Sequence, residues 1–407
     1  MKFFRHSRLG LCVAAAGFLL AACGGGGDSP SAPSPAPSPA PSPAPSPAPS
    51  PAPSPAPGAA ALPDVPNGRA TLLAGSLDAD AAKACGRVDA DDPLQSRFGY
   101  ITHAMTVAAD GTVYLTDRPC RADSGQADAV RKIAPDGKVS TVATGALPQA
   151  GAALARFVRP AGLAVKGGVL YVSDGGPYGG LDAGGVCETY SLATAPGYPA
   201  AGQATGIWQV TADGRISAVA GVARASCEAG AASLDGAGPQ ASFCLPAGMA
   251  FSADGVLHVM DARIQGTPGT WRTVHASDGN VQSGPAGRFT PSLIGSADGR
   301  IYVTDSCPAA GRVSRLVSVP DLNVLTDQLP NSSLVAIDSR GHVYSASADA
   351  RRGGVKSTLY RKAAGQAQFV PVATNVHALR ALAVGPDDAV YLKSGHAVIR
   401  LDFARQP

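Results

Sequence analysis

From residue 69 onward the chain alternates short apolar runs with polar turns, and one arrangement of the two recurs. Each copy is an apolar strand, a tight turn, and a second strand reading aliphatic, aromatic or His, aliphatic, then small polar or Asp. Met105-Thr106-Val107 leads to Val113-Tyr114-Leu115-Thr116-Asp117, and Gly162 to Val165 leads to Leu170-Tyr171-Val172-Ser173-Asp174. Met249 to Phe251 leads to Leu257-His258-Val259-Met260-Asp261. Ile301-Tyr302-Val303-Thr304-Asp305, Val343-Tyr344-Ser345-Ala346-Ser347 and Val390-Tyr391-Leu392-Lys393-Ser394 continue the series. Successive copies lie 42 to 57 residues apart, except for 87 between the second and third, where an insertion falls. A period of that size marks a repeat architecture with several strands per unit.

Asp-Gly pairs at 110–111, 136–137, 213–214, 254–255, 278–279 and 298–299 each separate two apolar runs, and are expected to close two-residue hairpins with positive φ at the centre. The strands are nearly continuous apolar runs, as expected of sheets covered on both faces. A radial stack of blades meets that condition and one open sheet does not, so the predicted fold is all-β, a six-bladed β-propeller of four-stranded antiparallel blades. The last unit supplies strands at Ala381 to Val384, Ala389 to Leu392 and Ala397 to Leu401, and then ends. Ala70-Thr71-Leu72-Leu73-Ala74-Gly75 reads like the outer-strand segments Val142-Ala143 and Val219-Ala220-Gly221. The N-terminal strand is therefore expected to close the sixth blade, which removes two sheet edges at once.

The run Val130-Arg131-Lys132-Ile133-Ala134-Pro135-Asp136-Gly137-Lys138-Val139-Ser140-Thr141-Val142-Ala143, with Pro160 to Val165 and Leu170 to Asp174, resembles the NHL-repeat family of β-propellers. Ile207-Trp208-Gln209-Val210, Ile216 to Gly221, Asp235-Gly236, Phe243 and Pro246 to Asp261 repeat the same order. The resemblance extends over roughly residues 69 to 407 and implies a propeller over 59–407.

The first 58 residues differ in kind. Lys2, Arg5 and Arg8 precede an apolar stretch from Leu9 to Ala22, which ends Leu20-Ala21-Ala22-Cys23. The stretch is too short for a stable membrane span and reads as a secretory signal, residues 1–22. Its end resembles the bacterial lipoprotein signal, which implies that Cys23 is lipidated and that the membrane is a partner through this anchor. Gly24, where an Asp would favour the inner membrane, points by the same resemblance to the outer membrane of a Gram-negative cell envelope. The domain would then face the periplasm or the cell surface. From Ser34 to Pro57 the unit Ser-Pro-Ala-Pro repeats six times. Proline at every second position removes alternate donors and fixes φ, so residues 23–58 are read as a polyproline II linker. At roughly 3.1 Å per residue such a segment reaches on the order of 90 Å. A Pro-rich ligand for an aromatic groove is the alternative.

Removing the leader changes the charge balance. The chain has 33 basic and 30 acidic residues, and the three basic residues of the leader face no acid before Asp28, so the mature chain is neutral. It carries no electrostatic footprint for phosphate backbones, and nucleic acid is excluded as a partner. Six cysteines remain in the folded part: Cys85, Cys120, Cys187, Cys227, Cys244 and Cys307. An even number in an exported chain argues for disulfides. Cys85 with Cys120 is the expected pair, the other four are left open, and the absence of CxxC spacing argues against zinc.

Candidate sites lie in loops and at strand ends. The insertion from Gly175 to Thr205 carries Tyr178, Tyr190 and Tyr198 among glycines and is the first choice for a recognition surface. Asp117, Asp174, Asp261 and Asp305 end the second strands and are expected to accept backbone hydrogen bonds in the turns that follow. Asp89, Asp91 and Asp92 are weak candidates for Ca2+, the one metal considered; no cofactor is otherwise implied. His103 and Arg380 start the inner strands of the first and sixth units, adjacent at the mouth of the ring if it closes, where they would suit an anion or a carbonyl. His258 replaces the repeated tyrosine and is read as packing.

Similar propellers include gluconolactonase-like hydrolases and amidoglycolate or antibiotic lyases, so the fold alone does not decide activity. The lactonase-like resemblance implies a calcium held by Glu, Asn and Asp at the axis. The only two glutamates, Glu188 and Glu228, follow cysteines in loops, and that ligand set cannot be carried over. GxSxG, HExxH and Walker signatures are absent. The reading is a monomeric, membrane-anchored binding module for a protein, peptide or glycan. The alternative is a propeller hydrolase or lyase with a divergent site near the channel.

Overall fold

The computed structural model describes residues 61–404 apart from 79, 100–101, 103, 119, 121–126, 145–159, 175–204, 222–232, 263–269, 287–288, 296–298, 306–313, 331–333 and 348–355. Its strands form six four-stranded antiparallel sheets. Blade 1 is β2 (Met105–Val107), β3 (Val113–Asp117), β4 (Ala129–Ile133) and β5 (Val139–Thr144). Blade 2 is β6 (Pro160–Lys166), β7 (Val169–Asp174), β8 (Gly206–Val210) and β9 (Ile216–Ala220). Blade 3 is β10 (Leu245–Phe251), β11 (Leu257–Ala262), β12 (Thr270–Val274) and β13 (Val281–Ala286). Blade 4 is β14 (Phe289–Gly295), β15 (Ile301–Asp305), β16 (Ser314–Val319) and β17 (Val324–Leu329). Blade 5 is β18 (Val335–Ile337), β19 (Val343–Ala346), β20 (Lys356–Lys362) and β21 (Val370–His377). Blade 6 is β22 (Leu379–Val384), β23 (Val390–Ser394) and β24 (His396–Phe403), completed by β1 (Gly68–Ser76). The first strands contact one another in the series β2, β6, β10, β14, β18, β22 and back to β2, which closes the ring and makes the fold a six-bladed propeller.

The reason both faces of each strand are apolar is visible in the core. Among the described residues it divides into six clusters, and each lies between two adjacent blades. Val113, Leu115 and Ile133 of blade 1 meet Ala381, Ala383 and Tyr391 of blade 6. Leu316 and Leu329 of blade 4 meet Val335, Ile337 and Val343 of blade 5. A second strand such as β23 is buried at every position. The repeat therefore cannot fold unit by unit: a lone blade would expose two apolar faces.

The Asp-Gly turns correct one expectation. Four of them close three-residue loops, not two-residue ones, and Asp278-Gly279 ends a four-residue loop between His275 and Asn280: Gly111 N–H donates to Ala108 O at 2.9 Å while Ala108 N–H donates to Thr112 O at 2.8 Å. Gly137, Gly214 and Gly255 make the same pair of bonds. Only the glycine takes positive φ, +88° at Gly111 and +91° at Gly137. The aspartate stays right-handed, and Asp110 and Asp136 accept from the amides of Thr112 and Lys138 at 2.9 and 3.0 Å. The pair is thus a type I turn followed by a left-handed glycine, the second commonest hairpin solution.

Closure follows the expected register. β1 pairs antiparallel with β24 from Gly68 opposite Phe403 to Ser76 opposite His396. Gly75 (φ +83°) stands next to the end of this strand, as Gly221 (φ +82°) follows the last residue of β9 in blade 2. A Cβ on Gly75 would stand 2.9 Å from the Phe98 ring, and one on Gly221 would stand 2.4 Å from Phe243. The same Leu-Ala-Gly or Val-Ala-Gly ending thus lets an aromatic ring from the next unit press against the backbone. Ahead of β1, Asp64 bridges to Thr374 of β21, so the entering chain also lies along blade 5.

Candidate functional site

The two faces of the ring differ in how much chain they carry. On one face, called lower here, first strands turn into second and third into fourth through short connections, from 167–168 to 363–369. On the upper face the connections are very unequal. In blades 1 to 3 they include 77–104, 118–128, 145–159, 175–205 and 221–244. In blades 4 to 6 none is longer than 347–355, and β23 turns into β24 through Gly395 alone. The longer connections therefore join strand ends on one half of one face.

Two junctions on that face share one set of contacts. In blade 1 the buried Arg131 donates to Asp117 Oδ2 at 2.9 Å and to Val88 O at 2.9 Å, and pairs with Asp89 at 2.8 Å. Its guanidinium lies 5.0 Å from the centre of the Phe98 ring. In blade 3 the buried Arg272 pairs with Asp261 at 3.4 Å and Asp235 at 2.7 Å, and lies 4.6 Å from the Phe243 ring centre. Asp89 also receives the amide and hydroxyl of Thr141 at 2.9 and 3.0 Å, and Asp235 those of Ser283 at 3.0 and 2.8 Å. Two of the strand-ending aspartates have a structural role as acceptors of backbone amides. Asp117 accepts Gly99 N–H at 2.7 Å and Asp261 accepts Cys244 N–H at 2.9 Å, from the connections that precede their blades. Burial raises Asp117, against the pull of Arg131, Lys393 and the Gly99 amide.

Several predicted site residues have defined places. Cys85 and Cys120 form a disulfide with Cα atoms 6.0 Å apart, as expected, tying the connection into blade 1 to the loop after β3. Cys244 is also disulfide-bonded, and Cys187, Cys227 and Cys307 lie outside the described residues. Asp89, Asp91 and Asp92 turn to separate donors: Arg131 and Thr141 for the first, Lys138 at 2.6 Å for the second, the Leu94 amide at 3.0 Å for the third. Among the described residues no three metal-ligating side chains come together. His103, Tyr178, Tyr190 and Tyr198 lie outside the described residues. His258 is held as packing. Trp271 Nε1–H donates to His258 Nδ1 at 2.7 Å, so the neutral ring carries its proton on Nε2, 3.0 Å from Ser252 Oγ. Burial lowers its pKa to about 4, and the ring cannot take a proton from that serine.

The axis is lined by the first strands. Its lower part is a channel of about 580 Å³ lined by Met105, Val107, Met249, Phe251, Ile337 and Leu382, among others. The six first strands contain only two charged residues, Lys166 at the lower end of β6 and Arg380 at the upper end of β22. Arg380, Leu382 and Val384 are half-buried positions of β22, and Leu382 and Val384 pack against the core between blades 5 and 6. Arg380 is the extra residue of a bulge, since Leu379 pairs with Ser394 and Ala381 with Lys393.

Behind Arg380 stands a residue to which the sequence reading gave no role. Lys393 is fully buried, donates to Gly99 O at 3.1 Å and to Gly395 O, and lies 5.7 Å from the Phe98 ring centre. It occupies the place of Ser173, whose hydroxyl donates to Ala247 O at 2.7 Å across the junction of blades 2 and 3. The signal was a lone lysine where the other second strands carry Thr116, Ser173, Met260, Thr304 or Ala346. His396 Nδ1–H donates to Phe98 O at 3.0 Å beside it. Burial lowers Lys393 to about 7, with Arg380 and Arg131 pushing the same way and Asp117 opposing. Since the unfolded amine titrates near 10.4, the unfolded chain holds a proton that the native one lacks between pH 7 and about 10. Stability is thus expected to rise across that window, and below pH 7 the cost of the buried charge is present in full. Thermal melts from pH 6 to 9.5 should show this rise, and Lys393→Met should flatten it. Parallel curves for the two proteins would refute the assignment.

Compared by sequence, the chain matches no family profile and no curated protein. Compared by structure, it is similar to XC5397 from Xanthomonas campestris, a gluconolactonase, at 12% identity and TM-score 0.47, over 86% of this chain and 97% of that one. It is similar to a streptogramin B lyase at 12% identity and TM-score 0.42, over 83% and 98% of the two chains. A luciferin-regenerating enzyme matches at 13% identity and TM-score 0.42, over 75% and 92%.

Proposed function

We propose that this chain is a binding module, an NHL-like propeller carried on a lipid anchor at Cys23, which takes a protein, peptide or glycan through the half of its upper face over blades 1 to 3. The observation that carries the reading is the concentration of long connections there, against short turns everywhere on the lower face. A rigid ring with variable loops on one face is a common platform for recognition. The Cys85–Cys120 disulfide fits an oxidising compartment, and with the leader and linker supports placement in the cell envelope at the outer membrane.

The test is photo-crosslinking in intact cells. A photoreactive residue at 178, 190 or 198 should give a discrete adduct, and one in the lower turns at 136, 213 or 340 should give none. Equal labelling of the two faces, or none at all, would overturn the loop-face reading. Cys23→Ser should move the protein from the membrane fraction to the soluble one. A propeller hydrolase or lyase is the second reading, favoured by Arg380 on its bulge at the upper end of an inner strand. It requires turnover of lactone or amide esters that Arg380→Gln removes.

A further inference from the structure

Where the ring closes, a groove of about 360 Å³ opens on the lower face between blades 6 and 1. Its floor is apolar: Val113 and Ile133 of blade 1, Tyr391 of blade 6, and Leu73, the extra residue of a bulge in β1, belong to or pack against one core cluster. Pro135 and Pro386, both exposed, line it from two turns. The charged side chains that line it are two acids and one base, Asp110, Asp387 and Arg400. The base is already matched. Arg400 donates through Nε and Nη2 to Asp402 at 2.9 and 2.6 Å and through Nη1 to the Tyr391 hydroxyl at 2.8 Å, and it pairs with Asp387 at 2.8 Å. With Asp402 against Arg400, Asp110 and Asp387 remain as surplus negative charge beside an apolar floor. Both keep acceptor capacity: one oxygen of Asp110 takes the Thr112 amide at 2.9 Å, one oxygen of Asp387 takes the Ala389 amide at 3.3 Å, and an ionised carboxylate has about four acceptor positions. A Cβ on Gly385 would stand 2.7 Å from Asp387 Oδ1 and 2.8 Å from Tyr391 Cε2, so the glycine leaves room for this carboxylate beside the tyrosine ring.

An apolar groove edged by surplus carboxylates is complementary to a cation with an apolar body. We propose that this groove is a second binding site, for a small organic amine whose ammonium group is drawn by Asp110 and Asp387 and whose apolar body lies on Val113, Ile133 and Tyr391. The volume falls at the lower end of small-molecule sites, which limits the ligand to a small one. Burial of the body supplies affinity, and the carboxylates select a positive group over a neutral or negative one. This site does not depend on what the loop face binds, and either can fail alone.

The probe is phenethylamine, protonated at neutral pH, with phenethyl alcohol as the neutral body, phenylpropanoate as the anion and methylamine as the cation without a body. The full chain bearing Cys23→Ser, which needs no detergent, is titrated by calorimetry. Phenethylamine should bind saturably, one per chain, and each control about fivefold more weakly or worse, the scale of an exposed ion pair. High salt should narrow that difference. Asp110→Asn combined with Asp387→Asn should bring the amine down to the level of the alcohol with the melting temperature kept, since asparagine still accepts the Thr112 and Ala389 amides. Equal binding of amine and alcohol by the parent chain would reduce the groove to an apolar surface and overturn the proposal. No saturable binding of the amine, or binding unchanged in the double variant, would overturn it as well. If the double variant does not fold, Ala134→Phe decides, because it fills the groove from its wall and alters no charge. Loss of amine binding in Ala134→Phe is expected, and unchanged binding would refute the site.

Discussion

Removing residues 69–76 will leave a chain that does not fold. These residues are nearly all of β1, which pairs with β24 at eight positions and completes blade 6. Without it, β24 becomes an open edge whose Ala397, Val398, Ile399 and Leu401 are otherwise fully buried. Ala74 and Leu72 leave the clusters that join blade 6 to its two neighbours. Gly75 N–H, which donates to Ser96 Oγ at 3.1 Å, no longer positions the connection into blade 1. Loss of pairing, burial and positioning together exceeds the roughly 5–15 kcal/mol that holds a typical domain folded. Circular dichroism and thermal melts of the truncated chain should show no cooperative transition. The rescue is specific: Ala404 N–H donates to Asn67 O at 2.9 Å, so the strand can be moved behind β24 through a short linker. Folding of that permutant is expected, and a truncated chain that melts like the parent would refute closure by β1.

The second large effect is expected at Arg131. Arg131→Met leaves Asp117, 1% exposed, without its arginine partner while the carboxylate stays in the junction between blades 6 and 1. Removing one member of a buried pair costs about 3–5 kcal/mol, because a charge is left uncompensated. Asp117→Asn added to Arg131→Met should cost less than the two single changes summed, since the orphaned charge disappears. Denaturant unfolding of the four proteins measures this directly. Because Arg272 makes the same contacts in blade 3, Arg272→Met should repeat the result through Asp261. Additive costs in the cycle would mean that Arg131 and Asp117 contribute independently.

Much of this architecture was legible because its determinants are local. A strand such as Val113-Tyr114-Leu115 followed by a glycine turn is decided within a few residues, and six copies of it leave few arrangements that bury both faces. Closure by Ala70 to Gly75 could be read from similarity to other outer-strand endings. The size of the Asp-Gly loops could not, since a two-residue and a three-residue hairpin share the pair and differ in backbone bonds.

The sequence by itself determined the number of units, the order of strands within each and the strand that closes the ring. Each follows from short-range periodicity, or from repetition that makes one unit a template for the next. Only the tertiary structure decided which groups those units bring together. Asp117 finds its donors at Gly99 and Arg131, and Lys393 meets Gly99 from 294 residues away. Arg380 falls in a bulge of β22, since Leu379 pairs with Ser394 and Ala381 with Lys393. Charge, burial and direction at such points are set by the meeting of blades 6 and 1, and that junction exists only once the ring has closed.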